Sequence, residues 1–390
     1  MSRDVCSTPP PPLRKQCIMP SVVATEEKIS EDQKKPITAR IIVWAVKAAF
    51  AGAVAFGVLN ILCMFYRVVP NYVSGAKGMT TSARKPNQRY VSFTEGFGHG
   101  RVDKNGYINP PEFAEHDTHD VVIMGSSHME ALQLPQEEIT VSLMGAKFGE
   151  LRLYNVGFTG HNFLTCTKYL QRVIQVEMPK YVVMETMFLN FDSETARLAL
   201  SEDKPRTSSP DNKPRRRMIQ LPKLPYVDLL RFQWHGGHQF RGGTLRDNLW
   251  TRADQTLEIM HPEQLAGVID QIGRTAGEND VRLIIMYHPA LAINDDGSAT
   301  PKTNPDDLRF FADACSEAGI TFVDMTDIFL KAYADDHVLP HGFANTRIGT
   351  GHLNADGHRM IAEELSRVIR EMEHARAARE AGNNNVGDKP

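Results

Sequence analysis

Five short apolar runs, separated by stretches with helical spacing, recur between residues 121 and 325. They are VVIM (Val121 to Met124), LRLYNVGF (Leu151 to Phe158), YVVMETMF (Tyr181 to Phe188), VRLIIMYHP (Val281 to Pro289) and ITFVDM (Ile320 to Met325). LTCTKYLQRVIQ, the pattern from Pro262 to Ala276, and DDLRFFADACSEAG fit helices between them, and NADGHRMIAEELSRVIREMEHARAARE reads as a long closing helix. Strands that are apolar throughout are buried on both faces, and alternation with helices makes right-handed βαβ units around a parallel sheet. The expectation is an α/β fold, with five parallel strands in the flavodoxin-like order 2-1-3-4-5 and helices on both faces. Ligands of such sheets bind at the carboxyl ends of the strands, so the residues there come first.

A different composition precedes this domain. From Ile41 to Tyr66 the chain reads IIVWAVKAAFAGAVAFGVLNILCMFY, with Lys47 and Asn60 its only strongly polar members. That length suits one transmembrane helix, and Lys47 lies near an end where its side chain can snorkel. The expected organisation is a disordered tail over 1–38, a transmembrane helix over 39–66, a polar connector over 67–118, an α/β domain over 119–376 with an insertion at 192–260, and a C-terminal tail over 377–390. Basic residues before the span (Lys28, Lys34, Lys35, Arg40) nearly balance those after it (Arg67, Lys77, Arg84, Lys85). Lys47 tips the orientation towards the N-terminus inside, which puts the domain on the extracytoplasmic side.

The insertion carries a basic run (Lys204, Arg206, Lys213, Arg215, Arg216, Arg217), followed by Phe232, Trp234, His235 and Trp250. It is either a solvated loop or a surface for an anionic polymer or lipid headgroups. The whole chain, at net charge −3, has no polyanion-binding balance, and no nucleic-acid partner is expected. Its 5 cysteines form no CxxC pair, so neither a disulfide framework nor a cysteine zinc site is indicated.

The chemistry-bearing residues follow the strands. The first run ends in Gly125-Ser126-Ser127-His128; a serine there, opening a helix, suits a nucleophile or a helix cap. The second ends in Asn155-Val156-Gly157-Phe158-Thr159-Gly160, where Gly160 can offer an N–H to an oxyanion or simply make a turn. Asn190 follows the third run and is a further candidate oxyanion donor. Near the C-terminus, Gly351-His352-Leu353-Asn354 precedes the last helix, and from there His352 can reach across the sheet to act as general base to Ser127. His116 and His119 lack the partner pair of a metal site, and His128 either contacts the pocket or belongs to the first turn of the helix. His288, at the end of the fourth run, is an outside candidate for substrate contact. Neither a metal nor a cofactor is expected.

In this order the four segments resemble the blocks of the SGNH (GDSL-like) hydrolases, over roughly Asp120 to Leu365 with the insertion between. The resemblance implies that Ser127 is the nucleophile, Gly160 the second-block glycine and His352 the catalytic histidine, in the HLNADGH text of the last block. Asn190 matches the third-block asparagine, without the glycine that usually precedes it. Ser126 stands where the family has Asp. The triad Asp, expected three residues before His352, is Gly349. Three possibilities stay open: a Ser-His dyad, a substitute carboxylate such as Asp324 or Asp356, or a weakened site.

What the resemblance implies is a serine esterase or O-acyltransferase working through an acyl-enzyme. A single span before such a domain is similar to the envelope proteins of alginate O-acetylation and teichoic-acid D-alanylation, which act beside a membrane-bound O-acyltransferase. The implied partners are an acylated glycan or other ester, the membrane and such an acyltransferase. One alternative is a non-catalytic binding or assembly subunit of an envelope polysaccharide machine. Another, with reversed topology, is a lipase-like or thioesterase role at the inner membrane face.

Overall fold

The computed structural model describes residues 37–68, 72–74, 80, 82–93, 95–193, 196–197 and 259–384. The chain divides into two compact units, Met1–Gly57 and Val58–Pro390. The expected N-terminal tail, up to residue 36, lies outside the described residues, as do the basic and aromatic stretch from Lys204 to Trp250 and the last residues from 385.

Helix α1 (Ile37–Tyr66) is apolar around its whole circumference. Its stretch Ile37–Leu62 has a mean hydropathy of 2.0, and none of it is buried. At 1.5 Å per residue its 30 residues reach roughly 45 Å, more than a hydrocarbon core of about 30 Å. Among the described residues it is the one helix long and apolar enough to cross a membrane.

The second unit is built on strands β1 (Val121–Met124), β2 (Leu153–Asn155), β3 (Tyr181–Thr186), β4 (Arg282–Tyr287) and β5 (Thr321–Asp324). All pairs are parallel and the spatial order is β5-β4-β3-β1-β2, the flavodoxin-like order expected from the sequence. The helices around this sheet include α2 (Ser127–Glu130), α3 (Thr140–Gly145), α4 (Phe163–Glu177), α5 (Pro262–Glu278), α6 (Pro305–Glu317), α7 (Thr326–Asp336) and α8 (Ala355–Asn384). The strand pleat sends alternate side chains to opposite faces. Val122, Met124, Val182, Met184 and Ile285 enter a core with α4, α5 and α6. Val121, Ile123, Val183, Ile284 and Met286 enter a second core with α3, α7 and α8. Burying each such side chain stabilises the fold by about 1.5–3 kcal/mol before conformational entropy is charged. That double burial is why the runs read as apolar throughout.

Several boundaries differ from expectation. The second run yields only β2, because the Asn155 side chain turns back to accept the Gly157 N–H at 2.9 Å and ends the strand. Residues 377–384 are not a tail but continue α8. The insertion is pinched at its base, where Asp192 and Ile259 pair as an isolated antiparallel bridge.

The connector contains an antiparallel hairpin, Arg89–Ser92 with Gly98–Arg101. Below it, the Asp103 carboxylate accepts from Asn105 N–H (2.7 Å), Tyr107 N–H (3.0 Å), Asn109 Nδ2 (2.9 Å) and Tyr154 Oη (2.8 Å). This buried network ties the connector to β2.

Candidate active site

At the end of β1 the chain turns sharply into α2. A Cβ on Gly125 would stand 2.7 Å from Glu185 Oε2, so only glycine fits this turn. The Ser126 N–H donates to that same oxygen at 2.7 Å, and Ser126 Oγ caps α2 by accepting the His128 N–H at 3.2 Å. Ser127 is thereby set at the first turn of a helix, partly open to solvent.

Its partner comes from the far end of the domain. His352 Nε2 lies 2.9 Å from Ser127 Oγ, on the loop before α8, as the sequence led us to expect. His352 Nδ1 faces the Glu95 carboxylate at 2.6 Å, and Glu95 Oε1 also accepts the His352 N–H at 2.8 Å. Serine, imidazole and carboxylate thus stand in the order of a charge-stabilised triad. The imidazole is 27% exposed and the carboxylate 13%, so the base faces the outside while its orienting acid is shielded.

Burial would raise the Glu95 pKa, but the hydrogen bonds and charge of His352 outweigh it and hold the carboxyl below its ordinary range.

Glu95 corrects the expectation about the acid. Asp324 does not face His352: its Oδ1 accepts the Thr326 N–H (2.9 Å) and hydroxyl at the start of α7. Asp356 pairs with Arg359, one turn along α8, at 3.1 Å. The carboxylate that meets His352 comes instead from the connector hairpin, a segment no expectation placed at the site.

The hairpin turn is clamped in place. Asn345 Oδ1 accepts the Gly96 N–H at 2.9 Å, and its Nδ2 donates to the carbonyls of Gly96 (2.9 Å) and Phe93 (3.0 Å). Gly96 has φ +68°, and a Cβ there would meet the Gln133 carbonyl at 2.3 Å. The turn is therefore wedged between the segment after α2 and the loop that carries His352. The one sequence signal was the glycine-rich text EGFGHG around it.

The remaining expected residues stand as follows. Gly160, at φ +90°, sits in the exposed turn before α4. The neighbouring Thr159 N–H and hydroxyl both donate to Glu130, and Glu130 makes a bidentate pair with Arg84 (2.7 and 2.9 Å), both side chains 2% exposed. This pair, also unforeseen, ties the connector to α2 and to the Gly160 turn. Asn190 Nδ2 donates to Asp307 at 2.8 Å. Both line a cleft of about 500 Å³ with Phe188, Tyr287 and Lys302.

The histidines resolve differently. His119 is fully buried, with Nδ1 on Glu177 (2.5 Å), Nε2 on the Phe113 carbonyl (2.9 Å) and its ring stacked on Tyr154. His288 is wholly buried rather than facing substrate: its Nε2 meets Glu185 Oε1 at 2.8 Å. One ring nitrogen from each of His128, His288 and His341 lies within 4.8 Å of the others, a grouping that invites a metal ion. His288 suits that role, because Nδ1 is buried without a hydrogen-bond partner among the described residues and the carboxylate on Nε2 would orient the ring. His128 does not. Its Nδ1 accepts the Leu353 N–H at 3.1 Å, so in the neutral ring the proton sits on Nε2, the nitrogen a metal would need. The donor set is therefore incomplete for a three-histidine site.

No family model and no curated protein matches the chain. Solved structures do. An acetyl xylan esterase, AlAXEase, is 12% identical with a TM-score of 0.37, covering 64% of this chain and 99% of its own. The psychrotrophic esterase EstA from Pseudoalteromonas sp. is 12% identical with a TM-score of 0.36, covering 66% and 100%. TesA is 13% identical with a TM-score of 0.34, covering 63% and 94%. Likenesses this distant carry no chemistry across; the site's own geometry has to.

Proposed function

We propose that this chain is a membrane-anchored serine ester hydrolase or O-acyltransferase of the SGNH type. The observation that carries the reading is the continuous contact Ser127 Oγ–His352 Nε2 (2.9 Å) and His352 Nδ1–Glu95 (2.6 Å). As Ser127 Oγ adds to the acyl carbon, His352 Nε2 takes its proton and Glu95 stabilises the imidazolium. The alcohol then leaves with that proton, and water or a sugar hydroxyl releases the acyl group from Ser127. The Ser127 and Gly160 N–H groups hold the oxyanion in this reading. Asn190 joins them only by turning from Asp307 or by using its second amide hydrogen.

The proposed substrate is an acylated cell-envelope glycan, and the proposed location is extracytoplasmic, beside a membrane-bound O-acyltransferase. The apolar helix α1 and the resemblance in block order support these finer points. With Glu95 in the acid's place, the case for a non-catalytic subunit loses the feature that favoured it, the missing Asp.

The test is hydrolysis of p-nitrophenyl acetate by the full-length chain in detergent, wild type beside Ser127→Ala and His352→Ala. Turnover abolished by both substitutions is expected. A wild type that neither turns over the ester nor reacts with a fluorophosphonate probe at Ser127 would overturn the reading.

A further inference from the structure

The residue after the nucleophile and the residue after the base are joined to each other. His128 follows Ser127 and Leu353 follows His352, and the Leu353 N–H donates to His128 Nδ1 at 3.1 Å across 225 positions of sequence. We propose that His128 is a positioning residue, a neutral acceptor that holds the His352 loop in register with the nucleophile's helix. The proposal rests on the reading of Ser127 and His352 as the reacting pair.

Three features of the surroundings support it. First, the bond works with one protonation state only: a lone pair on Nδ1 is needed to receive an N–H, so a cationic ring would turn donor against donor. Second, the environment favours the neutral ring. Burial, then the neighbouring imidazoles of His288, His352, His341 and His358, push the His128 pKa well below that of an ordinary histidine. These neighbours come from the end of β4, the loop before α8 and α8 itself. The carboxylates behind them, Glu185 on His288 and Glu95 on His352, are each held by their own imidazole.

Third, the other side of the nucleophile's turn is held as well. Glu185 takes the Ser126 N–H, and the His128 ring packs edge-on against His288 at 4.9 Å between centroids. Ser127 is thus bracketed by a residue fixed to β3 and a residue fixed to the base loop. The His128 and His352 rings lie 5.2 Å apart. A neutral His128 adds no like charge when His352 takes up the serine proton.

Shape separates this role from simple packing. The Oδ1 of an asparagine occupies the same place along the side chain as Nδ1 of histidine, so His128→Asn keeps the acceptor, whereas His128→Leu keeps bulk and loses it. In the full-length chain in detergent, with p-nitrophenyl acetate, His128→Leu is expected to lower kcat roughly 10- to 100-fold, with KM nearly unchanged. His128→Asn is expected to restore most of the loss. Hydrogen exchange at the Leu353 amide should be slow in wild type and His128→Asn, and fast in His128→Leu. If the leucine variant does not fold, His128→Ala, which also lacks the acceptor, takes its place. Asparagine as damaging as leucine, a loss confined to KM, or equal Leu353 protection in all variants would each overturn the proposal. The exchange measurement needs no turnover, so it still decides if the ester proves not to be a substrate.

Discussion

Glu95 precedes His352 by 257 positions, yet its carboxylate meets the imidazole Nδ1 at 2.6 Å and takes the backbone N–H of the same residue at 2.8 Å. Two bonds to one residue fix both the ring and the loop that bears it. The acid of this site belongs to a hairpin that precedes the parallel sheet altogether.

Removing that carboxylate should therefore cost most of the activity. Glu95→Gln is expected to lower kcat for p-nitrophenyl acetate by roughly 10³- to 10⁴-fold, the scale set by losing the acid of a serine–histidine pair. Asp324→Asn and Asp356→Asn should leave it within about twofold, since their contacts lie elsewhere. Steady-state kinetics on the three variants checks this, and a large loss in either Asp variant with none at Glu95 would return the acid's role to the C-terminal segment.

The buried pair of Arg84 and Glu130 should be a point of fragility. Arg84→Met leaves a carboxylate 2% exposed without its cation and is expected to destabilise the unit by about 3–5 kcal/mol. In the double variant Arg84→Met/Glu130→Gln the uncompensated charge is gone and Gln can still accept the Thr159 N–H, so part of the loss should return. Denaturant unfolding followed by tryptophan-independent circular dichroism measures both; a single variant as stable as wild type would show that the pair contributes little.

The packing of α8 predicts an acid sensitivity. His358 Nδ1 accepts the Thr140 N–H (3.1 Å) and shares a hydrogen bond with its hydroxyl (2.8 Å). Burial first, then the neighbouring His288 and His352, lower its pKa to about 3. The folded state thus refuses a proton that the unfolded state takes up near the ordinary value of about 6.5. The contribution is fully present above about pH 6.5 and falls by up to about 1.4 kcal/mol per pH unit on acidification towards pH 3. His358→Asn, which keeps an acceptor in the Nδ1 position and cannot titrate, should flatten that part of the pH–stability curve. An unchanged slope in the variant would assign the acid sensitivity to other groups.

How far all this could be read beforehand depended on the range of the interactions. The strands were legible because double burial makes VVIM, YVVM and LIIMY (Leu283 to Tyr287) apolar at every position, a local consequence of a global arrangement. Ser127 was legible because it follows the carboxyl end of a parallel strand, the edge where such sheets bind ligands, and His352 because its loop opens the closing helix. Glu95 was not. Nothing in the chain around it carries a strand or helix period, and its role exists only once Asn345 has closed on the Gly96 turn. Asn190 shows the opposite failure, since its position after β3 was right but its amide faces Asp307. The His128–Leu353 bond was invisible for the same reason as Glu95, being a contact between a helical turn and a loop 225 positions apart.

The hairpin's place in the chain has a practical side. A fragment cut at the start of the parallel sheet would keep every strand of that sheet, the serine and the histidine, and would still lack the carboxylate on His352 and the arginine that neutralises Glu130. The unit that would carry the proposed chemistry therefore begins upstream of the parallel sheet, and a truncation that respects only the sheet would keep the scaffold without the carboxylate that orients His352.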